Sequence, residues 1–248
     1  PVSPDLRERL GKVYLNSAGT TGDTFFHADF AKGGAGGALK GAGKGALAGL
    51  DDCAGSAMSG GELGPLVFLV CAPLAIPASM FKGSAAGSKA AIPEETLSRL
   101  EEQANVALQT ADLSPALVAT LDDVSQQEKA LAQYEISHGT LPAPENNESI
   151  SDVAARWDYQ TVMDVEVIKA GFDSDNGRVP MMHFTMTAQI KLIDTKSGSV
   201  LQKQDYSYNS SPQPLVFWFS DNFGGLAREI VKANQKLANN ILSDVFIR

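Results

Sequence analysis

Residues 181–208 read MMHFTMTAQIKLIDTKSGSVLQKQDYSY, and this stretch decides the fold. Apolar residues occupy every second position of its first half, with mostly polar residues between them. This alternation predicts a strand with one face on a core and one in solvent, as is typical of antiparallel sheets. Residues 194–198, DTKSG, predict a hairpin turn into a further strand over residues 200–208. The predicted core face consists of Met182, Phe184, Met186, Ala188, Ile190 and Leu192.

Two further elements complete the C-terminal half. Residues 159–167 alternate in the same way and predict the preceding strand, followed by a turn over residues 173–177, DSDNG. A helix is predicted from residue 221 or 222 to the C-terminus, because its apolar residues recur every three or four positions. They are Leu226, Ile230, Ala233, Leu237, Ile241 and Val245.

The N-terminal half predicts one strand and two helices. Residues 10–16 alternate as a short strand without a local partner, so we expect it to join the C-terminal strands. Helices are predicted from Pro93 and from Ser114, each with a proline in its first turn. The fold class is therefore α+β, an antiparallel sheet packed by helices. We expect one soluble domain, residues 1–30 and 92–248, interrupted by an inserted glycine-zipper helical hairpin over residues 31–91.

The insertion begins with glycines at a fixed spacing. Residues 31–50 read AKGGAGGALKGAGKGALAGL, in which glycine recurs at every fourth position. On a helix these glycines form a groove without side chains, which a second helix backbone can approach closely. We expect this groove to mediate helix packing and self-association. The predicted packing positions are Gly33, Gly37, Gly41, Gly45 and Gly49. The same four-residue spacing recurs once more at Gly83 and Gly87.

An uncharged segment follows over residues 66–81, LVFLVCAPLAIPASMF. It is shorter than the roughly 20 residues of a straight membrane span, and Pro73 and Pro77 would kink a helix. We therefore expect a hairpin with arms near residues 28–50 and 64–90. The predicted membrane contacts in this segment are Leu66, Val67, Phe68 and Leu69.

Two other interpretations of the insertion stay open. Glycine-rich stretches are typical of flexible linkers, and a zipper also packs helices inside soluble proteins or oligomers. Linkers, however, are rich in serine and do not keep a four-residue period. Membrane contact is favoured, because small residues at helical spacing have their largest effect in lipid. Residues 31–50 also carry three lysines and no acidic residue, which suits anionic head groups.

The two cysteines, Cys53 and Cys71, leave the redox compartment undecided. In an oxidising compartment they form one disulfide, and in a reducing one they are small buried side chains.

The chain starts with Pro-Val-Ser-Pro, with neither methionine nor a signal-like apolar core. We expect a mature or trimmed product, since a removed signal peptide is compatible with this start and so is a truncation.

No residue pattern in the chain predicts catalysis. The net charge of −9 argues against nucleic-acid binding, which requires cations facing phosphates. The three histidines lack partners at metal-ligand spacing, and nucleotide-binding and hydrolase motifs are absent from the sequence. We therefore predict no enzyme activity, catalytic residue, cofactor or metal.

Five large apolar residues, LVFWF at 215–219, precede the last predicted helix. One interpretation is that they fill the end of the core and staple the helix, as such runs are most often buried. The other is that Phe217 and Trp218 contact a membrane interface or a partner. The first interpretation is favoured.

The hairpin over 194–201, in which Asp194, Thr195, Gly198, Val200 and Leu201 follow a D-T-x-x-G-x-V-L pattern, resembles that of small bacterial envelope lipoproteins. In those proteins a sheet similar to the TolB amino-terminal domain ends in a helix. The glycine-rich insertion is similar in kind to that of complement-resistance and surface-exclusion lipoproteins. The lipid-accepting cysteine of such lipoproteins does not occur in residues 1–10. The resemblance implies an outer-membrane location and a non-enzymatic role.

Together these features predict a cell-envelope protein at the bacterial outer membrane, facing the periplasm. We expect it to form homo-oligomers through the hairpin, to contact membrane lipid and to play a structural, pore-like or plug-like role. An envelope protein partner is a further expectation. The alternative is a soluble periplasmic module that recruits a protein partner through a sheet edge or residues 215–219.

Overall fold

The computed structural model describes residues 2–17, 19, 22–28, 94–139, 141–142, 148–175, 181–219 and 223–247. These residues form an α+β fold in which helices pack on one mixed sheet. The strands are β1 (Val13–Ser17), β2 (Asp23–His27), β3 (Ile136–Ser137), β4 (Thr161–Asp175), β5 (Met181–Asp194), β6 (Val200–Asn209) and β7 (Gln213–Pro214). The α-helices are α1 (Pro4–Leu10), α2 (Glu94–Thr110), α3 (Leu113–Gln127), α4 (Ile150–Arg156), α5 (Leu215–Phe219) and α6 (Gly224–Leu242).

The strand order is β3-β1-β4-β5-β6, with β2 also on β4 and β7 also on β5. The meander β4-β5-β6 is antiparallel, and its apolar face is buried as the alternation predicts. The predicted pairing of the first strand with the C-terminal strands is confirmed, because β1 pairs with β4 from Val13↔Thr161 to Ser17↔Val165.

The prediction of a wholly antiparallel sheet is wrong. Strands β1 and β2 both run parallel to β4, and β3 runs parallel to β1. The tight hairpin between β5 and β6 makes these strands antiparallel, because the chain reverses within a few residues. The alternation says nothing about a strand that returns after a long connection. The helices between β1 and β4 supply the crossover length that a parallel pair requires.

The main core lies between one face of the sheet and helices α2, α3 and α6. The predicted stripe of the last helix is buried from Leu226 to Val245, although α6 begins at Gly224 and its last turn, Ser243–Ile247, is π-helical. On the opposite face of the sheet, Ala154 of α4 packs with Tyr14 and Val162 in a smaller cluster.

The parallel edge of β4 is interrupted at its middle. β1 ends opposite Val165 and β2 begins opposite Lys169, where β4 also has a bulge relative to β5. Gly22 donates its backbone N–H to the Val167 carbonyl over 2.8 Å, and the Val167 N–H bonds to a side chain and not to a described strand. The buried hydroxyl of Ser114 in α3 accepts this N–H at 2.9 Å. A helix side chain thus completes the sheet where the two short strands leave a gap.

Ser114→Ala should lower the free energy of unfolding by about 1–3 kcal/mol, because the Val167 N–H would be buried without a partner. Urea denaturation followed by circular dichroism measures this difference. Ser125→Ala is the matched control on the same helix, since the Ser125 hydroxyl donates only to the Asp122 carbonyl of its own helix. Equal small effects in both variants would contradict the role given to Ser114.

Candidate functional site

The most distinctive local geometry surrounds β2, after which the chain enters residues 29–93. We call β2 and the β4 residues opposite its last three residues, Gly171–Asp173, the insertion anchor. Phe26 points to the core and is 8% exposed. Its ring centroid lies 6.0 Å from those of Phe172 and Phe219. The strand that leads into the insertion is therefore fixed by aromatic packing.

Residues 215–219 form helix α5, which closes the core over the insertion anchor. Trp218 is fully buried, its indole N–H donates to the Met182 carbonyl at 3.0 Å, and its ring lies 5.3 Å from that of Phe172. Trp218 is therefore a core residue and presents no surface to a membrane or a partner. Phe217 is only partly buried, and the Arg228 guanidinium lies 5.8 Å from its ring centroid.

The polar side of the anchor carries a hydrogen-bonded side-chain pair at the end of β2. His27 Nδ1 lies 2.8 Å from Asp173 Oδ1, directly across the strand pair. The Phe25 ring lies 4.9 Å from the His27 ring, and Lys169 Nζ stands 4.3 Å from the Phe25 centroid. These contacts tie β2 to β4 on the outer face of the sheet, opposite the core face on which Phe26 packs.

Gly171 is required by the approach of β2 to β4. A Cβ at this position would lie 2.1 Å from the Phe25 carbonyl oxygen and 2.5 Å from Phe25 Cδ1. Because the backbone oxygen cannot move away alone, any side chain here would displace β2 from β4. The glycine thus lets Phe25 lie across the outer face of β4.

Helix α6 is joined to β6 by a buried carboxylate. Glu229 is 6% exposed and accepts a hydrogen bond from the Tyr208 hydroxyl. Lys232 Nζ lies 3.0 Å from its second oxygen. Burial, together with the hydrogen bond and charge of Glu229, raises the pKa of Tyr208. This pairing compensates the burial of the charge and fixes α6 on the sheet.

A cavity of about 250 Å³ lies at the end of α6, lined by Tyr206, Asn240, Ser243 and Asp244. The buried Tyr206 hydroxyl has no hydrogen-bond partner among the described residues. Burial, and to a smaller degree the charge of Asp244, raises the pKa of Tyr206 to about 12. The cavity presents a hydroxyl that remains protonated at neutral pH.

Within the described part of the chain, no three His, Cys, Asp or Glu side chains come together as a metal site. His183 is half-buried on the outer face of β5, His138 is exposed, and His27 pairs with Asp173. Across the same residues, no helix combines the length and apolarity needed to span a bilayer.

Most of the site residues predicted from the sequence lie outside the described residues. They are the zipper positions Gly33, Gly37, Gly41, Gly45, Gly49, Gly83 and Gly87, the apolar residues Leu66, Val67, Phe68 and Leu69, and the cysteines Cys53 and Cys71. No sequence pattern predicted the insertion anchor. The only signal was the pair Phe25-Phe26 between polar residues, which is too short to show an alternating pattern.

No model of a known protein family matches the chain, and no curated protein matches its sequence. Among solved structures, a hypothetical protein of Chlamydia trachomatis shares 10% identity, covers 54% of this chain and 85% of its own, and has a TM-score of 0.36. A PelC dodecamer of Paraburkholderia phytofirmans shares 13% identity over 54% of this chain and 77% of its own, with a TM-score of 0.32. A lipoprotein of Neisseria meningitidis shares 15% identity over 48% and 83%, with a TM-score of 0.26. At these scores the likeness carries no inference about function.

Gly171→Ala should destabilise the insertion anchor by about 1–3 kcal/mol, because the added methyl group overlaps the Phe25 backbone. Hydrogen exchange should become faster at the β2 amides than in the wild type. Gly139→Ala is the control, since nothing lies within 4 Å of a Cβ there. Unchanged exchange in β2 would show that the anchor does not depend on this close approach.

Tyr206→Phe should leave stability at neutral pH nearly unchanged, because it removes a buried hydroxyl without a described partner. The wild type should lose stability as the pH rises from 10 towards 12, because the folded state holds the phenol proton more tightly than the unfolded state, whose pKa is 10.0. The variant should lose less over the same range. Urea midpoints at about pH 8 and pH 11 measure this, and parallel losses in both proteins would contradict it.

Proposed function

We propose that this protein is a non-enzymatic component of the bacterial cell envelope that self-assembles at the outer membrane through a glycine-zipper hairpin in residues 31–91. The observation that carries the proposal is the unbroken recurrence of glycine at every fourth position from Gly33 to Gly49. A helix with this spacing presents a continuous groove to a second helix, and such close backbone contact is most effective in lipid. The soluble domain faces the periplasm and holds the hairpin.

The geometry at the two described ends of the insertion supports a hairpin over a linker. The chain leaves the domain after β2 and returns in α2, and these two elements pack against each other. A linker joins separate units, whereas this segment starts from and returns to one sheet and its helices. The aromatic packing of Phe26 and the pairing of His27 with Asp173 give the hairpin a rigid base.

The charges of the zipper suit contact with anionic lipid. Its three lysines, Lys32, Lys40 and Lys44, each stand directly before a glycine of the four-residue series. On a helix this places the ammonium groups along one side of the groove, where they attract anionic head groups while the groove packs. The uncharged residues 66–81 supply the apolar contact with the bilayer. A ring of such hairpins would form a pore or a plug.

The decisive experiment separates membrane contact from internal packing. Membranes containing the full-length protein are washed with high salt and with carbonate, alongside a variant lacking residues 31–91. We expect the full chain to sediment with the membranes and the deletion variant to be released.

Within the full chain, Gly41→Leu should lower the oligomer mass in detergent, because leucine fills the groove. Gly43→Leu is the matched control, since residue 43 lies on the opposite side of the same helix.

Release of both proteins into the supernatant would contradict the membrane role. An unchanged oligomer mass in Gly41→Leu would contradict assembly through the zipper.

A second candidate function is a periplasmic module that recruits a protein partner through residues 215–219. The observation that favours it is the partly exposed edge of α5, where Val216 is 41% exposed beside the Phe217–Arg228 contact. Aromatic and arginine side chains are the usual anchors of protein interfaces. If this function holds, the variant lacking residues 31–91 retains the partner and Val216→Asp releases it.

A further inference from the structure

Strand β6 forms one border of the sheet. Its ten residues pair with β5 on one side, and no strand of the described residues lies along its other side. An edge of this length exposes a row of unpaired backbone donors and acceptors, which proteins normally shorten, bend or cover. The β6 edge contains no proline, and its only register shift lies at its start, opposite Leu192 and Ile193.

The phase of the β5–β6 ladder fixes which backbone groups are free. Ser210 donates its N–H to the Phe184 carbonyl at 2.9 Å, so this pair is hydrogen-bonded. Hydrogen-bonded pairs alternate along an antiparallel ladder, and the register continues without a shift from Thr185↔Asn209 to Leu192↔Gln202. The backbone groups of Lys203, Asp205 and Ser207 therefore point away from β5, towards the open side.

The same residues carry an unbalanced charge pattern. Lys203 lies directly opposite Lys191, whose ammonium group already pairs with Glu166 at 3.4 Å. Two like charges in cross-strand positions repel each other. Within the described residues Lys203 has no carboxylate in ion-pair range, while exposed Asp205, two residues along the strand, accepts a hydrogen bond only from neutral Gln189.

We propose that a second copy of this chain pairs antiparallel along the β6 edge, about a two-fold axis at Gln204. In this register Lys203 of each copy lies opposite the partner's Asp205, and both residues have outward-pointing backbone groups. The pair is therefore hydrogen-bonded through the backbone and complementary in charge through the side chains. The two sheets become one continuous sheet across the axis.

The backbone phase and the charges select this register over its neighbours. An axis at Lys203 places the two copies of Lys203 opposite each other, and an axis at Asp205 does the same for Asp205. In both cases like charges meet. An axis at Gln202 or Tyr206 satisfies the backbone phase but leaves both charges opposite uncharged residues. The occupant is a second copy because the edge already carries, two residues apart, the two opposite charges that a two-fold axis brings together. This surface is separate from the glycine zipper and does not depend on it.

The pairing is tested by exchanging the charges of Lys203 and Asp205. All variants are made in the full chain with Gly41→Leu, because this substitution removes contact through the zipper groove. Lys203→Glu and Asp205→Lys should each weaken the dimer about tenfold or more, since both cross-axis pairs become repulsive. Analytical ultracentrifugation at low ionic strength measures the dimer fraction. The double variant, Lys203→Glu with Asp205→Lys, should restore it. An equimolar mixture of the two single variants should form a mixed dimer, because all cross-axis pairs are then of opposite charge.

Lys236→Glu on α6 is the control, since it changes the net charge equally at an exposed position away from the edge. It should leave the dimer fraction unchanged. Hydrogen exchange should also be slow at the outward amides of Lys203, Asp205 and Ser207 in the dimer and fast in the two single variants. A monomer at all concentrations, or a dimer that neither the single variants nor their mixture alters, overturns the proposal.

Discussion

The pairing of β1 and β2 with one edge of β4 is the contact on which the rest of the structure depends. Among the described strands β4 is the longest, and it holds the N-terminal strands on one side and the hairpin of β5 and β6 on the other. Without this pairing the N-terminal residues would have no partner, and the insertion would leave from an unattached strand. The helices α2 and α3 follow from the same constraint, because they form the crossover between parallel strands and cover the core face.

This pairing leaves a gap that other parts of the chain fill. The edge of β4 is matched by two short strands with a break between them, and the break coincides with the bulge after Val167. A hydroxyl from α3 accepts the orphaned N–H, and Gly22 fits against the bulge where a Cβ would lie 2.4 Å from the Ile168 carbonyl oxygen. The sheet, the helix and the loop are therefore mutually dependent, as expected where every buried polar group needs a partner.

The same constraint relates the fold to the proposed function. The strand that leads into residues 29–93 is not a loose connection, because Phe26 is embedded among the rings of Phe172 and Phe219. A hairpin that assembles in or on a membrane would transmit its position to the sheet through this base. On the opposite border of the sheet, β6 offers a separate surface with its own charges. One molecule thus combines a proposed membrane contact and a proposed sheet-edge contact at distant positions of the sheet.

The sequence by itself determined the elements whose signal is local. The alternation over 181–192 and the apolar stripe from Leu226 to Val245 predicted a strand and a helix with the correct buried faces, because side-chain periodicity follows directly from backbone geometry. Only the tertiary structure decided the direction of β1, the existence of β2 and the burial of Trp218. Strand direction depends on a distant partner, and β2 is too short for a periodic signal. The sequence favours burial of a large apolar run such as residues 215–219, but an interface is also compatible with it. In each case the deciding free energy comes from contacts between residues far apart in the chain, which no local pattern encodes.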